Sequence, residues 1–155
     1  MNKLTITFLF VFIFSNSLIA QLAVGENASV TVAESASITV AGLEVHPNSD
    51  MVISGPNSID RNLTSISIDG AESMARHYTV SQNLSSYSGS IVYNYTDDDM
   101  NGISHFAAMQ VLDSPDGMWM NYADEDEVDY SVTHSFENAV EIHSVTANDA
   151  TLSIE

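Results

Sequence analysis

Residues 128–136 read Val-Asp-Tyr-Ser-Val-Thr-His-Ser-Phe, the clearest strand pattern in the chain. Apolar or aromatic residues stand at positions 128, 130, 132 and 136, and Asp129, Ser131 and Thr133 lie between them. Side chains of a strand point alternately to its two faces. The spacing therefore predicts a half-buried strand, with positions 128, 130, 132 and 136 facing a core and the polar residues facing solvent.

Similar alternation recurs throughout residues 65–155, separated by turn-forming residues. The other residues predicted to share inward faces are Ile66, Ile68, Tyr78, Val80, Ile91, Tyr93, Tyr95, Phe106, Ala108, Leu112, Val140, Ile142, Leu152 and Ile154. Residues 113–117 read Asp-Ser-Pro-Asp-Gly and have the Pro and Gly of a hairpin connection. Short strands at this spacing predict an all-β fold, an antiparallel β-sandwich over residues 65–155.

The preceding segment, residues 21–57, contains a short internal repeat. Residues 27–33 read Asn-Ala-Ser-Val-Thr-Val-Ala and residues 35–41 read Ser-Ala-Ser-Ile-Thr-Val-Ala. Each copy alternates as a half-buried strand does. The segment predicts either stacked short strands, as at the edge of a β-solenoid, or a hairpin. Two clear copies are fewer than the three or so that a solenoid needs, so we expect the segment to pack against the strands C-terminal to it.

Residues 1–20 predict a secretory signal peptide. Lys3 precedes the apolar run at residues 4–14, and small and polar residues follow up to Ala20. A membrane-spanning helix needs about 20 apolar residues, so the run predicts a cleaved leader and no membrane insertion after cleavage. The protein is therefore predicted to be secreted or to reach the cell surface.

The chain is strongly acidic, with 3 Lys+Arg, 21 Asp+Glu and a formal net charge of −18. Cleavage of the leader removes Lys3 and leaves Arg61 and Arg76 against the 21 acids, a formal charge of −19. Binding to nucleic acid and to acidic membrane surfaces depends on Lys and Arg, so both partners are excluded. Apolar residues make up 45% of the chain, which is enough for a buried core. The absence of cysteine excludes disulfides and thiolate catalysis.

Three stretches that begin at Arg76 read Arg-His-Tyr-Thr-Val at 76–80, Ile-Val-Tyr-Asn-Tyr-Thr-Asp-Asp-Asp-Met-Asn-Gly at 91–102 and Trp-Met-Asn-Tyr-Ala at 119–123. Together they resemble a β-sandwich module of bacterial surface proteins that use the type IX secretion route. The resemblance covers residues 75–155 and, loosely, residues 27–55. It implies an exported, adhesin-like module in a protein that usually ends in a further sorting domain.

A candidate calcium loop lies between two predicted strands. Asp97, Asp99 and Asn101 stand at alternate positions before Gly102, as in the first half of a D-x-D-x-N-G calcium loop. The position that would supply a bidentate Glu is Ala108. The alternative is a solvated acidic loop that makes its turn at Asn101 and Gly102, and a second acidic cluster at residues 124–129 has the same alternative.

A candidate carbohydrate site involves Trp119 and Tyr122, because aromatic rings stack on the apolar face of a pyranose. Trp119 stands beside the predicted turn at 113–117. Tyr93 and Tyr95 share a predicted face with Ile91, so we expect them in the core. Arg76, one of two cations outside the leader, is expected to pair with an acidic residue.

The sequence gives no support for catalysis. The five histidines are scattered singly, without metal-binding spacing, and no nucleophile elbow or glycine-rich phosphate loop occurs. The sequence therefore predicts a non-catalytic, exported surface or adhesin-like module, with calcium as a candidate ion and an extracellular glycan or protein as partner. The alternative is a carbohydrate-binding accessory domain.

Overall fold

The structure, a computed structural model, describes residues 21–126 and 128–149. The predicted leader, residues 1–20, and the predicted final strand with Leu152 and Ile154 lie outside the described residues. The strands are β1 (Gln21–Val24), β2 (Ser29–Val32), β3 (Ile38–Val40), β4 (Leu43–Pro47), β5 (Met51–Ser54), β6 (Asn57–Asn62), β7 (Ser67–Ile68), β8 (Ala71–Glu72), β9 (His77–Asn94), β10 (Ala107–Leu112), β11 (Trp119–Ala123) and β12 (Ser131–Asp149). A short 3₁₀ helix spans Asp97–Asp99. The prediction of an all-β fold is confirmed.

Most strands belong to one eight-stranded antiparallel sheet. Its main order is β1-β6-β9-β12-β10-β11, while β4 pairs with β9 and β3 pairs with β4. The segments predicted as successive units, 21–57 and 65–155, thus contribute strands to the same sheet. The two copies of the repeat form β2 and β3, which pair with β5 and β4 and not with each other.

The long strand β9 folds back so that its two halves lie in facing layers. Residues 77–80 pair with β6, whereas residues 89–93 pair with β4. The rings of Tyr78 and Tyr93 are 5.9 Å apart, although 15 residues of straight strand would span about 50 Å. The bend passes through Asn83 and Ser86, whose φ angles are 56° and 52°.

Strand β12 bends together with β9 and closes the core. It pairs with β9 along both halves, with register shifts between Phe136 and Ser144. Strands that change layers through bulges form the corners of sandwiches with crossed sheets. The core between the layers contains Ile91, Tyr93 and Tyr95, all buried as predicted.

The inward face predicted at the start of β12 is only partly present. Val132 and Phe136 are buried, but Val128 is 57% exposed and Tyr130 is 43% exposed. The prediction for those two residues was wrong, because β12 begins at Ser131 and the φ of 68° at Tyr130 breaks the extended path. Position 133, predicted to face solvent, is buried.

In β10 the prediction is confirmed for Ala108, which is buried, and wrong for Phe106. The core contains Met109 and Val111, whereas the predicted core residue Phe106 is 76% exposed. Both faces of β10 are buried from Ala107 to Val111, and Phe106 lies before the first residue of the strand. The hairpin connection predicted at 113–117 is confirmed, since it joins the paired strands β10 and β11.

Candidate functional site

Arg76 is the centre of a buried polar network where the two halves of β9 meet. Its Nη2 lies 2.6 Å from Oδ2 of Asp99, and the two side chains are only 11% and 8% exposed. Its Nη1 donates a hydrogen bond to the carbonyl oxygen of Asn94 at 2.9 Å. The predicted pairing of Arg76 with an acidic residue is confirmed. Arg76 directly precedes β9, and Asn94 is the last residue of that strand. Through Arg76, Asp99 therefore connects the 3₁₀ helix to both ends of β9.

The predicted calcium loop forms this 3₁₀ helix and the turn after it. Oδ2 of Asp99 also accepts hydrogen bonds from the amide and the hydroxyl of Thr96, at 2.8 and 2.7 Å. Oδ1 of Asp97 accepts a hydrogen bond from the hydroxyl of Tyr130 at 3.0 Å. Both carboxylates therefore already have protein partners.

Asn101, the third predicted calcium ligand, contacts a different residue from those that Asp97 and Asp99 contact. Its Nδ2 donates to the carbonyl oxygen of Ser73 at 2.9 Å. Asp97, Asp99 and Asn101 thus each contact a different part of the fold, and Asp99 is neutralised by Arg76. Within residues 21–126 and 128–149, no group of three or more His, Cys, Asp or Glu side chains is arranged to hold a metal ion.

Asp124 and Glu125, from the acidic cluster predicted at residues 124–129, contact the backbone near the start of β12. Oδ1 of Asp124 accepts a hydrogen bond from the amide of Thr133 at 2.8 Å. Oε2 of Glu125 accepts one from the amide of Ser135 at 3.1 Å. These two carboxylates satisfy backbone donors at the beginning of the strand, so they have a structural role.

A groove of about 1060 Å³ lies along β11. It is lined by residues 105–108 at the start of β10, by residues 118–124, and by Asp69, Val128 and Asp129. We call it the β11 groove. Ligand sites in proteins are concave and combine apolar walls with a few polar groups, and this groove has both.

The apolar part of the β11 groove is unusually open to solvent. Phe106 is 76% exposed, Met118 is 82% exposed and Val128 is 57% exposed. Trp119 lines the same groove and is half-buried. A groove lined by several exposed apolar side chains together with polar residues is typical of an interaction site, so this is the candidate functional site.

The polar part of the groove is acidic. Asp69, Asp124 and Asp129 line it, and neither arginine of the described residues does. Asp69 stands in the two-residue turn between β7 and β8, where it and Gly70 have φ angles of 50° and 86°. Such positive angles suit the Asp-Gly pair of a tight hairpin. The turn presents the Asp69 carboxylate at the rim.

The two predicted carbohydrate-binding residues border the groove but face different sides of β11. Trp119 and Tyr122 are three positions apart, so their side chains point to opposite faces of the strand. The Tyr122 ring packs against His134 and Phe136, with centroid distances of 4.7 and 5.0 Å. Burial raises the pKa of the Tyr122 hydroxyl. Trp119 is therefore the one of the two that is available to a ligand.

One end of the groove is fixed by a ring cluster around His105. Its Nδ1 lies 3.1 Å from the hydroxyl of Tyr95, and its ring centroid is 4.8 Å from that of Tyr130. The hydrogen bond to Asp97 and the negative charge of that carboxylate raise the pKa of Tyr130. These contacts fix the position of the His105 ring, which forms one wall of the β11 groove.

Sequence reasoning missed Phe106, Met118 and Val128 as site residues. Met118 directly follows the predicted turn at 113–117, and that position was a usable signal of exposure. Phe106 and Val128 gave no such signal, because their exposure depends on the residues at which β10 and β12 begin.

Comparison of the chain with protein-family models, curated proteins and solved structures finds no match. In the part of the chain that the structure describes, no helix has the length and apolar character needed to cross a membrane.

Proposed function

We propose that this protein is a non-catalytic, exported surface module of the adhesin-like kind that binds an extracellular partner through the β11 groove. The observation that carries the proposal is the exposure of three apolar side chains, Phe106, Met118 and Val128, that line the same groove as Trp119. Exposing such side chains to water is unfavourable, and covering them with a partner removes that surface from water. The predicted leader supports an exterior location.

Binding by the purified protein to an array of extracellular proteins and glycans tests this proposal. The double variant Phe106→Ser/Met118→Ser removes the two most exposed apolar side chains of the groove. Leu63→Ser is the matched control, because Leu63 is 63% exposed and does not line the groove. We expect the double variant to lose binding, the control to keep it, and both to unfold at the wild-type temperature. Binding that survives the double substitution refutes the proposal.

A carbohydrate-binding accessory domain is the second candidate function. Trp119 offers a ring, and Asn121 and Asp129 lie along the same groove with hydrogen-bonding groups. The glycan part of the array tests it with Trp119→Ala. Loss of a glycan signal in that variant would support this candidate, and glycan binding that Trp119→Ala leaves unchanged would contradict it.

A further inference from the structure

The shape of the β11 groove fits an extended ligand. Every residue from Met118 to Asp124 lines it, so the groove follows the whole length of β11. Five residues of strand span about 17 Å. β11 is also the end strand of the sheet order. A ligand that follows the whole groove is therefore extended, with about the length of five residues of extended peptide.

The negative charge of the groove indicates the charge of the peptide that would bind there. Asp69 and Asp129 are exposed at its rim, and the half-buried Asp124 also lines it. The chain carries a formal charge of −18, and both arginines of the described residues are outside the groove. Charge complementarity steers partners of the opposite sign and repels those of the same sign. The fitting partner is cationic.

Lysine and arginine side chains match both parts of the groove at once. Their aliphatic stems pack on apolar surface while their charged ends stay in water. The stems can therefore pack on Met118 or Phe106, and the charged ends can pair with the carboxylates at the rim. The face of a tryptophan ring attracts a cation within about 6 Å, and Trp119 supplies such a ring. A neutral ligand would leave the negative charge of the rim without a counterpart.

We infer that the β11 groove binds an extended segment of a partner protein that is rich in lysine or arginine. The inference rests on the proposed binding function and names the chemistry of its partner. The apolar residues of that segment contact Phe106 and Met118, and its cations pair with Asp69 and Asp129.

Trp119 is the only tryptophan of the chain, so its fluorescence reports on the groove directly. The probe is the blocked peptide Lys-Val-Lys-Val-Lys-Val, and the same peptide with Glu in place of Lys is its control. We expect the basic peptide to shift the Trp119 emission and to bind more weakly as salt is added. The acidic peptide should give no response.

The double variant Asp69→Asn/Asp129→Asn tests the role of the rim. We expect about a two- to fivefold loss of affinity for each carboxylate removed. The matched control, Glu26→Gln/Glu34→Gln, removes two exposed charges outside the groove and should bind as the wild type does. An equal effect of both double variants would overturn the inference, because it would reflect net charge alone.

The two proposals fail in different ways. If array binding depends on Phe106 and Met118 but the basic peptide gives no response, the proposed function stands and the inference is overturned. A response to neutral oligosaccharides in place of the peptide also overturns it. If the basic peptide binds but the Phe106→Ser/Met118→Ser variant binds it equally well, the groove is not the peptide's site and the inference is overturned, whereas the proposed function is still decided by the array.

Discussion

Replacing Asp99 by asparagine should destabilise the protein strongly, although the change is nearly isosteric. The substitution leaves the guanidinium of Arg76 buried without a negative partner, since the two side chains are 2.6 Å apart and about one-tenth exposed. Removing one member of a buried ion pair costs about 3–5 kcal/mol. The asparagine oxygen can still accept hydrogen bonds from Thr96, so we expect about 3 kcal/mol, the lower end of that range.

Such a loss is a large share of the stability of an ordinary domain, which is about 5–15 kcal/mol. For a chain of this size, 1 kcal/mol shifts the melting temperature by about 3–5 °C. The midpoint for Asp99→Asn should therefore fall by roughly 10–15 °C. Urea denaturation followed by circular dichroism gives the free energy of unfolding, and a thermal scan gives the midpoint.

The adjacent residue Asp98 supplies the control. It lies in the same 3₁₀ helix but is exposed, so Asp98→Asn should change stability by less than about 0.5 kcal/mol. Combining Arg76→Met with Asp99→Asn removes both charges and should cost less than the sum of the single substitutions. If Asp99→Asn costs no more than Asp98→Asn, the pair does not hold the loop and the reasoning is wrong.

Three further outcomes are expected. Gly42→Ala should cost more than about 1 kcal/mol, because its φ is +104° and a Cβ would stand 2.9 Å from Nη1 of Arg76. Gly70→Ala, at φ +86° with open space around it, should cost less in the same urea titration, and the reverse order would contradict the packing argument. Burial raises the pKa of Tyr87 and Tyr93, so stability should be intact below pH about 10 and fall as the pH rises above it. The tyrosinate absorbance of these two residues should then appear together with unfolding, and their ionisation in a still-folded protein would count against their burial. Because Asp99 of the candidate calcium loop is already paired with Arg76, calcium and a chelator should give the same melting temperature. A melting temperature that is clearly higher in calcium would support a calcium site in this loop.

The strands and tight turns of this fold were readable from the sequence because they depend on local chemistry. The alternation at Ile91, Tyr93 and Tyr95 and the Pro and Gly at 113–117 each express a rule that spans a few residues. The bend of β9 could not be predicted from the sequence. It occurs where Asn83 and Ser86 have positive φ angles. The bend lets the two halves of β9 share one core, and no local sequence pattern specifies that these halves pack against each other.

The candidate site was predictable only in part. Arg76 could be assigned an acidic partner because cations are scarce, and Trp119 could be chosen because it stands beside a turn. The exposure of Phe106 could not be predicted, since it depends on β10 beginning one residue later than its alternation indicates. The calcium pattern had the right residue types, but the fold directs Asp97, Asp99 and Asn101 to three different partners.

The position of β12 has a consequence for the order in which this chain can fold. It is the last strand of the described residues to be synthesised, yet it lies in the middle of the sheet, between β9 and β10. Until β12 is available, the earlier strands of this sheet can form only two separate parts, β1-β6-β9-β4-β3 and the β10–β11 hairpin. Pairings between residues distant in the sequence also make folding slow. A chain that acquires its core only when its last strands emerge stays unfolded for longer, which suits the passage across a membrane that the predicted leader implies.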